Sequence, residues 1–140
     1  MTNPDDSGSI SVGCEVLDIQ HAKLFALIRE LRDVPQNADP LLEYRLACRA
    51  LRELADYTRV HFGDEERMLE EAGYPHLDEH RKEHDCFLKR VYEIEESMHF
   101  GAGATSLNIF CGLLEEWWTN HILQADRRYI PYLQDFSGCA

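Results

Sequence analysis

Apolar residues recur along this chain in alternating steps of three and four, the spacing that keeps side chains on one face of an α-helix. Four such stripes can be traced. The first carries Leu17, His21, Leu24, Ile28 and Leu31, and the second Ala47, Leu51, Leu54, Thr58, His61, Glu65, Met68 and Ala72. The third carries Leu77, His80, His84, Phe87, Val91, Ile94 and Met98, and the fourth Leu107, Phe110, Leu114, Trp117 and His121. Turn formers separate them. A first helix is predicted from Asp18, its N-cap, to Asp33, ahead of the Val34-Pro35 break. A second opens with Asp39 as N-cap and Pro40 at the first helical position, and stops at Gly73. A third begins just after Pro75 and fades near His99, before Gly101 and Gly103. A fourth spans Ser106 to Ala125, and a short segment follows from Asp126 to Phe136. Four amphipathic helices with short connections predict an all-α fold, an antiparallel up-down-up-down four-helix bundle.

The stripes contain residues that do not belong in a plain core. His21, His61, Glu65, His80, His84 and His121 stand where leucines are expected. A buried imidazole or carboxylate without a partner costs on the order of a few kcal/mol, against a net domain stability of about 5–15 kcal/mol. A single core histidine usually finds a carbonyl. Five of them on four stripes, with carboxylates beside two, point instead to a metal. His61 and Glu65 are four apart, as are His80 and His84, so each pair projects from one helical face. Asp126, five beyond His121, is slightly off-face for an ideal helix, but the helix is expected to end there and to turn this carboxylate inward.

Five imidazoles and two carboxylates exceed the four donors of a usual zinc site and suit two metals with bridging carboxylates. Imidazole-rich sites of this kind favour iron, because calcium and magnesium take all-oxygen cages. The carboxylate-rich di-iron pattern needs Glu-x-x-His on two helices, and only Glu96-x-x-His99 has that form here. The zinc-protease signature H-E-x-x-H is absent. His76, beside Pro75, reads as a surface residue, and His99 as a favourable charge at a helix C-terminus. The acidic runs Asp64-Glu65-Glu66 and Glu70-Glu71 read as solvated face, except for Glu65.

Composition narrows the partners. With 140 residues, 44% of them hydrophobic, the chain fits one domain over 1–140: an N-terminal arm to about 16, a bundle to about 126 and a short C-terminal segment. A formal charge of -12 disfavours nucleic acid and anionic membrane surfaces. The polar, acidic N-terminus lacks the features of a secretory signal, so a cytoplasmic location is expected. The longest uncharged run, Ser97 to Leu114, is broken by glycines and reads as a helix–loop–helix junction. Five cysteines, an odd number without a C-x-x-C, are expected to be plain thiols.

Four runs together resemble the bacterial hemerythrins. They are Asp18-Ile19-Gln20-His21-Ala22-Lys23-Leu24-Phe25; His61-Phe62-Gly63-Asp64-Glu65-Glu66; Gly73-Tyr74-Pro75 followed by His80-x-x-x-His84; and Trp117-x-x-x-His121-Ile122-x-x-x-Asp126. The resemblance covers roughly Val12 to Phe136. It implies two iron ions joined by an oxo or hydroxo bridge. His80, His84 and His121 would fill one iron, while His21 and His61 would hold the other and leave it one open position. Glu65 and Asp126 would bridge both. Dioxygen would bind reversibly at the open iron, for carriage, storage or sensing, inside a lining of Leu24, Phe25, Phe62, Trp117, Trp118 and Ile122.

Azide and nitric oxide fit the same position, and a sensor would need an output domain or partner outside this chain. The rival expectation is a di-iron redox enzyme, a peroxidase or a scavenger of nitric oxide or peroxide. An apolar lining favours binding over turnover, so no enzyme activity is expected. The sequence departs from the family at two places. Ile10 is the only large residue where many members carry a tryptophan near the N-terminus. Trp118, three before the helix-four histidine, replaces a common leucine.

Overall fold

The four apolar stripes become the buried faces of four helices. The computed structural model describes residues 10–34, 39–100 and 104–139. Pro35, Gly101, Gly103 and the first nine residues of the expected N-terminal arm lie outside the described residues. The helices are α1 (Glu15–Arg32), α2 (Pro40–Glu71), α3 (Leu77–His99) and α4 (Ala104–Asn120). A π-helical turn, His121–Ala125, continues α4 into a 3-10 turn, Asp126–Tyr129, then α5 (Ile130–Leu133) and a last 3-10 turn, Ser137–Cys139. The antiparallel bundle closes on itself: α1 packs on α2 and α4, and α3 completes the ring between α2 and α4. No helix among the described residues is long and apolar enough to cross a membrane.

Helix ends follow local chemistry. The Asp39 side chain accepts the Leu41 N–H at 2.9 Å, with Pro40 at the first helical position, as predicted. At the other end of α2, Gly73 takes φ +74°, which a side chain disfavours. Its N–H donates to the Glu70 carbonyl and that of Tyr74 to the Leu69 carbonyl, the Schellman pattern that closes a helix.

The start of α1 differs from the expectation. The helix begins at Glu15, so Asp18 is not its N-cap but lies in its first turn. The Asp18 carboxylate reaches back instead, accepting the Val12 N–H at 2.8 Å and the Ser11 hydroxyl at 2.6 Å. It thereby ties the incoming arm to the helix.

Two further expectations need correction. On α4 the buried face carries Leu107, Cys111, Leu114 and Trp118, while Phe110 and Trp117 are only half-buried. The apolar pairs Phe110-Cys111 and Trp117-Trp118 fit two neighbouring stripes, and packing against α1 chose the second. The cysteines are not all free. Cys14 and Cys139 form a disulfide across 125 residues, while Cys48, Cys86 and Cys111 remain thiols. The pairing joins the residue before α1 to the last 3-10 turn, a proximity that no local sequence pattern encodes.

A cross-link closing so long a loop stabilises a fold by about 2–5 kcal/mol. Thiol titration of the unfolded, unreduced protein should find three reactive cysteines, and Cys139→Ser should lower the thermal midpoint by roughly 5–15 °C. Five titratable thiols would refute the pairing.

Candidate metal centre

Each of the four long helices sends a ligand-type side chain to one point in the core. His21 comes from α1, His61 and Glu65 from α2, His80 and His84 from α3, and His121 and Asp126 from the distorted end of α4. All seven are buried. The π-helical turn resolves the awkward spacing of the last pair. Its wider i→i+5 ladder, in which the Asp126 N–H reaches the His121 carbonyl, puts residues five apart on one face. His121 Nε2 then lies 3.0 Å from Asp126 Oδ1.

The two carboxylates divide the histidines into two groups. Glu65 Oε1 lies 2.6 Å from His80 Nε2 and 3.1 Å from His84 Nε2, while its Oε2 lies 3.4 Å from His61 Nε2 and 3.5 Å from His21 Nε2. Asp126 repeats the division. Its Oδ1 is 3.0 Å from both His80 and His121, and its Oδ2 is 3.3 Å from His21. Glu65, His80, His84, His121 and Asp126 bring one donor atom each within 4.8 Å of the others, and so do His21, His61 and Glu65.

Most of these contacts are not hydrogen bonds. The Nε2 atoms of His21, His61, His84 and His121 and both Asp126 oxygens are buried without a hydrogen-bond partner in the protein. Groups that close but unpaired are unfavourable in a dry interior unless a cation sits between them. The donor set therefore fits two metal ions: three nitrogens and two oxygens face one, while two nitrogens and a Glu65 oxygen face the other, with Asp126 Oδ2 3.3 Å from His21.

The outer ring nitrogens are held by residues that stripe periodicity does not single out. His84 Nδ1 meets Glu66 Oε2 at 2.9 Å, and His121 Nδ1 meets Glu83 Oε2 at 2.9 Å. Glu66 is thus not solvated face as expected, but holds the His84 ring and also accepts from Arg81. Gln20 donates its amide to Asp64 at 2.9 Å, which leaves its carbonyl to accept from His61 Nδ1 at 2.7 Å. These bonds place the proton on Nδ1 and leave Nε2 free to ligate. The Tyr129 hydroxyl donates to Glu65 Oε2 at 3.1 Å.

Aromatic rings fix the imidazole planes. Phe62 stacks on His84 with centroids 3.6 Å apart, and Trp117 stacks on His121 at 4.6 Å. Trp118 instead packs against His21 and His61, at 5.9 and 5.6 Å. Leu24 and Ile122 are fully buried, and Phe25 sits at the core margin. The two remaining histidines stay away from the cluster. His76 is exposed 3.9 Å from Glu79, and the exposed His99 bonds to Tyr44.

Comparison with known proteins identifies the family. Residues 12–133 match the Hemerythrin HHE cation binding domain. The chain belongs to the hemerythrin family. It is 35% identical over 86% of its length to a Bacteriohemerythrin of Pseudomonas aeruginosa, covering 75% of that protein. A Bacteriohemerythrin of Clostridium acetobutylicum is 30% identical, with 85% of this chain and 92% of that one aligned. A wild-type hemerythrin crystal structure superposes with a TM-score of 0.77 at 25% identity, covering 88% of this chain and 91% of the other. This hemerythrin is a di-iron protein that binds dioxygen.

Burial alone would lower the pKa of His80, but the carboxylates of Asp126 and Glu65 beside it outweigh this and hold the ring up at about 10. Burial and the charge of Glu65 would raise that of Asp126. The imidazoles of His121 and His80 beside it prevail and bring it down to about 2. A His80 proton held to about pH 10 in the fold but only to 6.5 in the unfolded chain stabilises fully below 6.5 and ceases to as pH passes 10. Iron needs the neutral ring. Equilibrium denaturation of metal-free protein should therefore show stability declining between about pH 6.5 and 10, with no such decline in the iron-loaded form. Parallel profiles for the two forms would contradict this account.

Proposed function

We propose that His80, His84 and His121 hold one iron and His21 and His61 the other, with Glu65 and Asp126 spanning both. Support comes from the two carboxylates, which each turn one oxygen towards the three-histidine group and the other towards the two-histidine group. The side with fewer nitrogens keeps a position for an external ligand. Two ferrous ions held by these residues would supply the electrons for reversible dioxygen binding.

The polypeptide sets the terms of that binding. Glu66 and Glu83 are carboxylate partners for His84 and His121, which strengthens those imidazoles as donors. His61 has only the neutral Gln20 carbonyl, and the Nδ1 of His21 has no partner. The two-histidine side therefore carries the weaker donors. Leu24, Phe62 and Ile122 keep water from the centre, which slows loss of the bound oxygen in reduced form.

Carriage or storage, rather than turnover, is the reading that this apolar lining supports, since catalysis would need groups that deliver protons to the ligand. Compatibility with azide and nitric oxide belongs to the same proposal, as does a cytosolic location, whose reducing surroundings would leave Cys14 and Cys139 as thiols. An output partner outside this chain would make the domain a sensor.

Reconstituted protein should contain two irons per chain, and the reduced form should gain a visible charge-transfer band in air that disappears on deoxygenation. Immediate irreversible oxidation would favour redox turnover. His61→Ala or His84→Ala should reduce iron content by about half or more and lower the thermal midpoint with it, because metal binding and folding are linked. His76→Ala and His99→Ala should leave elemental iron unchanged; loss in either would mean that a ligand has been misassigned.

A further inference from the structure

Outside the seven clustered side chains, only three buried side-chain polar atoms among the described residues lack a protein partner: Glu43 Oε1, Thr58 Oγ1 and Trp118 Nε1. Trp118 is set apart by its position. Its ring is fully buried and packs against both His21 and His61, the two histidines on the side left with fewer donors. Phe62 and Phe87 enclose it further, with ring centroids at 5.4 and 5.1 Å. No carbonyl or carboxylate among the described residues accepts from the indole N–H.

A buried donor without an acceptor destabilises a fold, and tryptophan in a core normally finds one. Packing alone does not explain it. Phenylalanine would supply a comparable aromatic contact to the histidines and Phe87 without stranding an N–H. The missing acceptor is therefore expected to come from outside the polypeptide.

We propose that the indole N–H of Trp118 donates a hydrogen bond to the outer atom of the small ligand held on the His21–His61 side, and so selects for ligands with negative charge on that atom. This rests on the assignment of that side as the binding position. Trp118 is a specificity-determining residue in this account. Its bulk limits the space beside the two histidines, and its N–H rewards an acceptor that enters it.

Two variants separate the effects. Trp118→Phe removes the N–H and keeps an aromatic ring, whereas Trp118→Leu also opens space. Azide is the probe, added to the oxidised, iron-loaded protein. A hydrogen bond to a charged acceptor predicts that azide leaves Trp118→Phe about 10- to 100-fold faster than wild type, with association little changed. Trp118→Leu should speed association as well.

Wild-type protein offers a test that needs no variant. The ultraviolet resonance Raman band sensitive to hydrogen bonding at the indole nitrogen should shift when azide is added. An unmoved band overturns the proposal, as do equal azide dissociation rates in wild type and Trp118→Phe. Iron analysis of the same wild-type sample separates the two levels. Two irons with an unmoved band would leave the di-iron assignment standing, whereas absence of iron would overturn that assignment and this proposal together.

Discussion

Five imidazoles and two carboxylates are packed within reach of one another at the centre of a small bundle, and most of their inward atoms have no hydrogen-bond partner. That arrangement constrains everything around it. Apolar layers at either end of the helices can repack at modest free-energy difference, but the central layer is compatible with the fold only when protons or metal ions lie between the donors. The helices must therefore keep a fixed register, since a shift of one residue would carry a ligand out of the cluster. The Schellman close at Gly73 and the capped start at Asp39 help to hold α2, which carries both His61 and Glu65, in that register.

The centre is asymmetric, and the asymmetry is built from ordinary side chains. Carboxylates stand behind His84 and His121, while a carboxamide stands behind His61. Stacked rings cover His84 and His121, but the ring beside His21 and His61 is tilted and brings an unpaired N–H. One side of the cluster thus has carboxylate-backed, ring-covered imidazoles, and the other has neither. Binding of a small ligand needs such a difference, because a site with both metals fully enclosed would be structural only.

The terminal segments serve the same centre. The π-helical turn after Asn120 aligns Asp126 with His121, and the 3-10 turn that follows presents Tyr129 to Glu65. The Cys14–Cys139 bond then fastens the end of this segment to the start of α1, which carries His21. A bond of this kind persists in oxidising surroundings, so the redox state of the compartment bears on how firmly the last ligands are held.

Much of this was determined by the sequence alone. Helical period identified the four helices, and the intrusion of histidine and glutamate into apolar stripes identified His21, His61, Glu65, His80, His84 and His121. Both signals are local, since residues three and four apart share a helix face whatever the rest of the chain does. Asp126 was legible only as an off-face residue near a helix end, and the π turn that corrects its position depends on packing.

Tertiary structure decided the remainder. Whether Trp117 or Trp118 enters the core was ambiguous, because adjacent residues on α4 fit neighbouring stripes and only the orientation of the helix against α1 separates them. Gln20, Glu66 and Glu83 sit beside ligands in sequence but off the stripes. They act through bonds to residues 18 to 41 positions away, which periodicity does not encode. The disulfide is the extreme case: a pairing across 125 residues depends on where the two ends of the bundle meet, and that is a property of the folded chain alone.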